Sequence, residues 1–206
     1  MVPVEVFADV GCPFAHVGLL RFVAARTERG SEATLVVRAW PLEVVNGQPL
    51  DAAFIAEEIV EIRPQIPHDL FAGFDPDSFP STSIPAMALA SASCAKDPHL
   101  GELVSLELRH LLFELGSDVA DPEVLTQVAE RYGIDFDPAD GEANTAAVMA
   151  EHARGQELGV VGSPHFFTAD GGFFCPALDV GRGPAGRLRV NADIEGFEQF
   201  LAAAID

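Results

Sequence analysis

Cys12 and His16 stand four residues apart in "GCPFAHVG", where an apolar strand pattern gives way to a helix. A thiol at a helix start meets backbone N–H groups that favour an anion, and such sites lower thiol pKa values to roughly 3.5–7.5. Positions i and i+4 share a helix face, so an imidazolium at His16 would stabilise the thiolate further and a neutral ring could act as a base. The plainer reading of Cys12 is a small buried cysteine beneath the helix start. A dithiol redox site would carry a second cysteine three residues on, but Ala15 stands there. The other group that draws attention is Gly162-Ser163-Pro164, just before a β-rich run. Proline cannot donate to a strand ladder, so Pro164 fits a strand's first residue or a cis turn. His165 beside it could approach Cys12 or sit as a satisfied strand histidine.

The elements that must position these residues follow from periodicity and punctuation. Residues 3–8 read as a first strand, and a helix follows from Pro13 to about Arg29, with Phe14, Val17, Leu20 and Ala24 as its buried stripe. "ATLVVRAWPLE" (33–43) reads as a second strand stopped by Pro41. Helical patterns then dominate, over 51–62, 84–95, a segment opened by Asp97-Pro98 and closed by Gly116, another opened by Asp121-Pro122 and closed by Gly133, and 142–158. Ser81 or Ser83 is the expected cap of the second of these. The Asp97 helix is expected to bury Leu100, Val104, Leu108, Leu111 and Leu115. Strands return at "SPHFFT" and "GFFC", joined by the turn signal "ADGG". A Gly- and Arg-rich loop comes next, and then a final helix capped by Asn191 or Asp193. The order is β-α-β, a helical block, then β-β-α. Neither flank has enough core to fold alone, so one sheet with a helical insertion is the simplest architecture.

Other motifs carry less. Gly181, Gly183 and Gly186 spell a GxGxxG, but no βα unit or acidic ribose partner follows, which excludes a dinucleotide site. The histidines show no metal-ligand spacing, and Ser163 lies in no nucleophile elbow. Arg182, Arg187 and Arg189 could together hold an anionic ligand; the simpler role is to balance neighbouring acids. Cys175 is the one distant cysteine that could resolve a mixed disulfide, though strand-end packing suits it better, and Cys94 reads as core.

The chain has 206 residues and a formal net charge of −20, with Lys96 its single lysine. Such a surface repels nucleic acid and anionic lipid. No apolar run approaches the roughly 20 residues of a membrane span, and a strand begins almost at the N-terminus without a leader pattern. An odd cysteine count in unrelated contexts suggests reduced thiols and a cytoplasmic setting.

Taken together, "FADVGCPFAHVG", "VRAWPLE" and "ELGVVGSPHFF" resemble the DsbA family of thioredoxin-fold proteins, in particular its FrnE-like branch. That branch is related to 2-hydroxychromene-2-carboxylate isomerases and kappa-class glutathione transferases. "DVADPEVLTQVAERYGID" is similar to the family's helical insert, and the likeness spans essentially the whole chain. The resemblance implies an α/β thioredoxin-like domain formed by residues 1–42 and 159–206, with an all-helical insert over 43–158. It makes Cys12 the nucleophile, Pro13 and Phe14 the residues inside the CxxC, Pro164 the cis-proline facing the thiol, and Ser163 the residue whose backbone meets substrate. Ala15 departs from the pattern by removing the resolving cysteine, and His16 replaces a position that is commonly aromatic.

The expected function is thiol–disulfide exchange through a single cysteine, with His16 tuning charge and Ser163, Pro164 and His165 forming the substrate wall. The substrate is a small thiol or disulfide. No bound cofactor or metal is expected, though glutathione or another low-molecular-weight thiol could be the cosubstrate, and a homodimer stays open. Two alternatives stand beside this reading: a glutathione-dependent isomerase or transferase, and a non-catalytic binding module.

Overall fold

A computed structural model describes residues 3–66, 70–183 and 188–205. Four strands form one mixed sheet: β1 (Val4–Ala8), β2 (Leu35–Ala39), β3 (His165–Thr168) and β4 (Gly171–Phe174), in the order β2-β1-β3-β4. β1 runs parallel to β2 and antiparallel to β3, which pairs antiparallel with β4. The crossover between β1 and β2 is α1 (Pro13–Glu28). Between β2 and β3 lie α2 (Leu42–Asn46), α3 (Ala52–Ile62), α4 (Ile84–Lys96), α5 (Pro98–Leu115), α6 (Pro122–Tyr132) and α7 (Gly141–Glu157). This is a thioredoxin-like α/β fold with a helical insertion.

Sheet alternation divides the core. Val4, Val6 and Ala8 enter the main hydrophobic cluster, whereas Phe7 points the other way, to Trp40 and Val160. β2 is an edge strand, and α4 and α5 pack on it. Its Ala39 N–H is satisfied from outside the sheet, donating to Glu151 of α7 at 2.6 Å. Asp–Pro punctuation works as expected. Asp97 accepts from the N–H groups of His99 and Leu100 and Asp121 from that of Glu123, while Gly116 and Gly133 end their helices at φ 65° and 63°.

Several expectations need correction. α1 has no single buried stripe: its first two turns are buried all round, because the sheet and the insert enclose them, while Leu20 is only partly covered and Ala24 is exposed. In α5, Leu115 is 59% exposed, and the buried face instead includes Glu102 and the fully buried Arg109. Ser83 stands at the start of α4 but makes no side-chain cap; its hydroxyl donates to Asp9. The Gly- and Arg-rich loop is largely a second ladder, β5 (Leu178–Arg182) with β6 (Leu188–Ala192). Arg182 and Arg189 are therefore strand residues, and Arg189 pairs with Asp179 at 3.2 Å. Arg187 and Gly186 lie outside the described residues. α8 (Ile194–Ile205) closes the chain, its first turn capped by Asp193, which accepts from Gly196 N–H at 2.8 Å.

Candidate active site

The turn after β1 is built around a buried carboxylate. Asp9 accepts from Gly11 N–H at 2.8 Å, Leu42 N–H at 2.7 Å and Ser83 Oγ–H at 3.0 Å. Its own N–H donates to Ser163 Oγ at 2.9 Å, and its carbonyl accepts from the Arg109 guanidinium at 3.0 Å. Burial raises the Asp9 carboxyl's pKa, against these donors and the Arg109 charge. One residue thus ties the β1 turn, the start of α2, the start of α4 and the segment before β3 into a single frame.

That frame places Cys12 at the N-cap of α1, with φ −85° and ψ 116°. The thiol is 3% exposed and donates to the Ser163 carbonyl at 3.2 Å. The peptide bond from Ser163 to Pro164 is cis, and Pro164 packs beside Gly18 of α1. Cys12, Pro13, Phe14 and Ser163 together form one wall of a cavity of about 430 Å³. The rest of the lining comes largely from the loop after α2 and from α3, and includes Leu50, Phe54, Ile55 and Glu58.

The expected low thiol pKa is not what this environment produces. Burial pushes the Cys12 thiol up to about 12, and the nearby Glu58 charge acts in the same direction. The helix-start effect is a fraction of a charge, whereas desolvating a thiolate in an enclosed site opposes ionisation outright. Burial also raises Glu58, to about 7, with Arg182 opposing.

His16 does not turn toward the thiol. Its ring lies 5.4 Å from Phe71 and 4.9 Å from Phe113, and Nε2 meets Glu114 Oε1 at 2.8 Å. Glu114 also accepts from the N–H groups of Phe71 and Ala72. Burial lowers the His16 pKa, so the ring is neutral at physiological pH and is no cationic neighbour for a thiolate. The i, i+4 argument fails because Cys12 has extended N-cap dihedrals and its side chain does not follow the helical period.

His165 is on the sheet face away from α1. Its ring lies tilted, 4.4 Å from Phe167, and Nδ1 accepts from Val161 N–H at 3.3 Å, whereas Phe166 faces α1 and α8 through Phe22 and Phe200. Cys175 stands across from Pro164, donating its N–H to the Pro164 carbonyl at 2.9 Å, with φ 45°. It is a free, buried thiol, also pushed up to about 12 by burial, and Cys94 is free and buried in α4. Of the expected residues, Cys12, Pro13, Phe14 and Ser163 share the cavity; Pro164, turned toward Gly18, is not among the residues that line it, and His16 and His165 lie elsewhere. Sequence reading missed Asp9 as the organiser and Glu58 as a wall residue. A single acid among the three glutamates of α3 carries no local signal.

Among the described residues no group of three His, Cys, Asp or Glu side chains could hold a metal ion, and no helix is long and apolar enough to cross a membrane.

Comparisons with known proteins agree with the fold. The family model for the DSBA-like thioredoxin domain matches residues 3–181. No curated protein gives a significant sequence match. Among solved structures, the cytosolic disulfide reductase DsbM from Pseudomonas aeruginosa is similar at 17% identity and a TM-score of 0.61, over 98% of this chain and 97% of that one. DsbM with GSH matches at 16% identity and a TM-score of 0.61, over 98% of each chain. A 2-hydroxychromene-2-carboxylate isomerase is similar at 14% identity and a TM-score of 0.59, over 83% of this chain and 87% of that one.

Proposed function

The chain belongs to the DSBA-like thioredoxin domain family, and from that premise we propose that it exchanges small disulfides through the single thiol of Cys12. The observation that carries this reading is the placement of the Cys12 thiol in a cavity wall against the carbonyl that precedes Pro164. In the first step Cys12 loses its proton and the sulfur attacks one sulfur of a disulfide RS–SR. A new S–S bond forms to Cys12, the old one breaks, and RS⁻ leaves and takes up a proton. Ala15 offers no neighbouring thiol to complete the cycle. A second, low-molecular-weight thiol R′SH then attacks the mixed disulfide, releasing RS–SR′ and returning Cys12 to its S–H form. A reducing compartment supplies such thiols, in keeping with a cytoplasmic setting and with the cytosolic DsbM among the structural neighbours.

The neutral state of the thiol favours a second reading. A Cys12 held protonated by burial suits a site that binds a thiol such as glutathione without forming a bond to it, as a glutathione-dependent isomerase would.

Intact mass spectrometry of the native protein after incubation with a small disulfide separates the two. Exchange predicts an adduct at Cys12 that dithiothreitol removes. Its absence in the native protein, with ready labelling of Cys12 in urea, overturns exchange. Iodoacetamide alkylation should accelerate with each pH step from 7 to 10 without a plateau, since the thiolate fraction is still rising. A plateau reached by pH 7 would show activation by the helix start and contradict the burial account.

A further inference from the structure

We infer that the Cys12 cavity is selective for charge: it takes neutral or cationic low-molecular-weight disulfides and thiols and disfavours anionic ones, with Glu58 as the determinant. This inference rests on the cavity being the site of thiol chemistry or thiol binding, and it deepens that reading by naming the substrate class.

The composition of the wall is the first argument. Its charged side chains are Glu58 and Asp51, and no lysine, arginine or histidine is among the described residues that line it. The remaining polar surface comes from Asn46, Gln48 and Ser163, which are neutral. Asp51 is exposed and engaged in capping α3, accepting from Ala53 and Phe54 N–H groups. Glu58 is half-buried. Leu42, Leu50, Phe54 and Ile55 give the same cavity apolar surface, which strengthens any charge interaction within it.

The second argument is electrostatic reach. The Glu58 charge is felt at Cys12 and both line the same cavity, so a ligand held there lies within its field. Arg182 acts on Glu58 from β5 and partly offsets it. Burial brings Glu58 to about 7, so a ligand ammonium would favour its carboxylate form whereas a ligand carboxylate would have to displace or protonate it. The net charge of −20 adds a field of the same sign. A thiol with a net negative charge, such as glutathione, therefore fits this cavity less well than an aminothiol of similar reach.

The test measures rates of Cys12 adduct formation at pH 8 with cystamine, bis(2-hydroxyethyl) disulfide and oxidised glutathione. The wild-type protein should react faster with cystamine than with oxidised glutathione. Glu58→Gln should reduce that ratio by about tenfold, the order expected of one charge removed from a poorly screened site; loss of the charge also eases ionisation of Cys12 and speeds all three disulfides, a common factor that cancels in the ratio. Asn46→Asp, which adds a charge to the same wall, should raise the ratio and gives an independent reading if the first variant is poorly folded. An unchanged ratio in both variants, or faster reaction of oxidised glutathione with the wild type, overturns the inference. If none of the three disulfides forms an adduct, exchange itself fails. Calorimetric binding of cysteamine against reduced glutathione then decides the charge preference, with the same Glu58→Gln comparison supporting or overturning it.

Discussion

His16 and Glu114 form a buried pair whose protonation is tied to folding. Burial lowers His16 below its ordinary value of 6.5. Burial works against ionisation of Glu114, but hydrogen bonds from His16 and from the Phe71 and Ala72 N–H groups outweigh it and leave the carboxyl below 4.5. Both native values lie below the unfolded ones, so the unfolded chain binds protons first as the pH falls. The pair's contribution to stability is complete above pH 6.5, declines through the His16 range as the pH falls, and declines further below pH 4.5. Between pH 7.5 and pH 5, urea unfolding should contain a loss of stability from this histidine, while Glu58, raised by burial, contributes in the opposite direction. His16→Gln, which keeps a donor toward Glu114, should remove the histidine's share of that change. An equal slope in the variant would assign the pH dependence to other groups. The same contacts explain why His16 could not be read from sequence: its partner lies 98 positions away.

At the scale of elements, close approach between helices decides what can be changed. α4 and α5 cross at Gly101, where a Cβ would lie 2.6 Å from Cys94 Cβ and 2.7 Å from its Cα. The obstacle is backbone and cannot rotate away, so Gly101→Ala should cost about 1–3 kcal/mol in urea unfolding. Gly141, the first residue of α7, has nothing within 4 Å of the corresponding position. There Gly→Ala should be neutral or stabilise by about 0.5–1 kcal/mol through helix propensity. Equal effects at the two sites would show that propensity, and not the crossing, controls the response. Element boundaries were largely legible, because Asp–Pro starts and Gly stops act through local hydrogen bonds. The β5–β6 ladder was not, since "LDVGR" and "LRVNA" flank residues rich in Gly and Arg that resemble a loop.

For the whole molecule, the insert is part of the packing that holds the sheet together. α4 and α5 pack on β2, Arg109 of α5 reaches the Asp9 carbonyl, and α7 covers Trp40 through His152 at 4.7 Å. Trp40 is the single tryptophan and is 4% exposed. Joining residue 42 to residue 159 through a short linker would bare this face. The product should show a red-shifted Trp40 emission and lose cooperative urea unfolding, and a native-like emission with a sharp transition would show that the two flanks fold alone.

The sequence by itself determined the strand–turn–helix that carries Cys12, the loss of a neighbouring resolving thiol at Ala15, the helical block, and the pairing of Cys12 with the Ser163–Pro164 segment through a family resemblance. These depend on local dihedral preferences, caps and periodicity, which residues close in the chain specify. Tertiary structure alone decided the protonation of Cys12, the direction of His16 and the presence of Glu58 in the cavity wall. Each depends on burial and on partners distant in sequence, such as the Ser163 carbonyl, 151 positions from the thiol it meets. A helix start favours an anion from one side only, and the solvent that would complete the stabilisation is removed by everything folded around it.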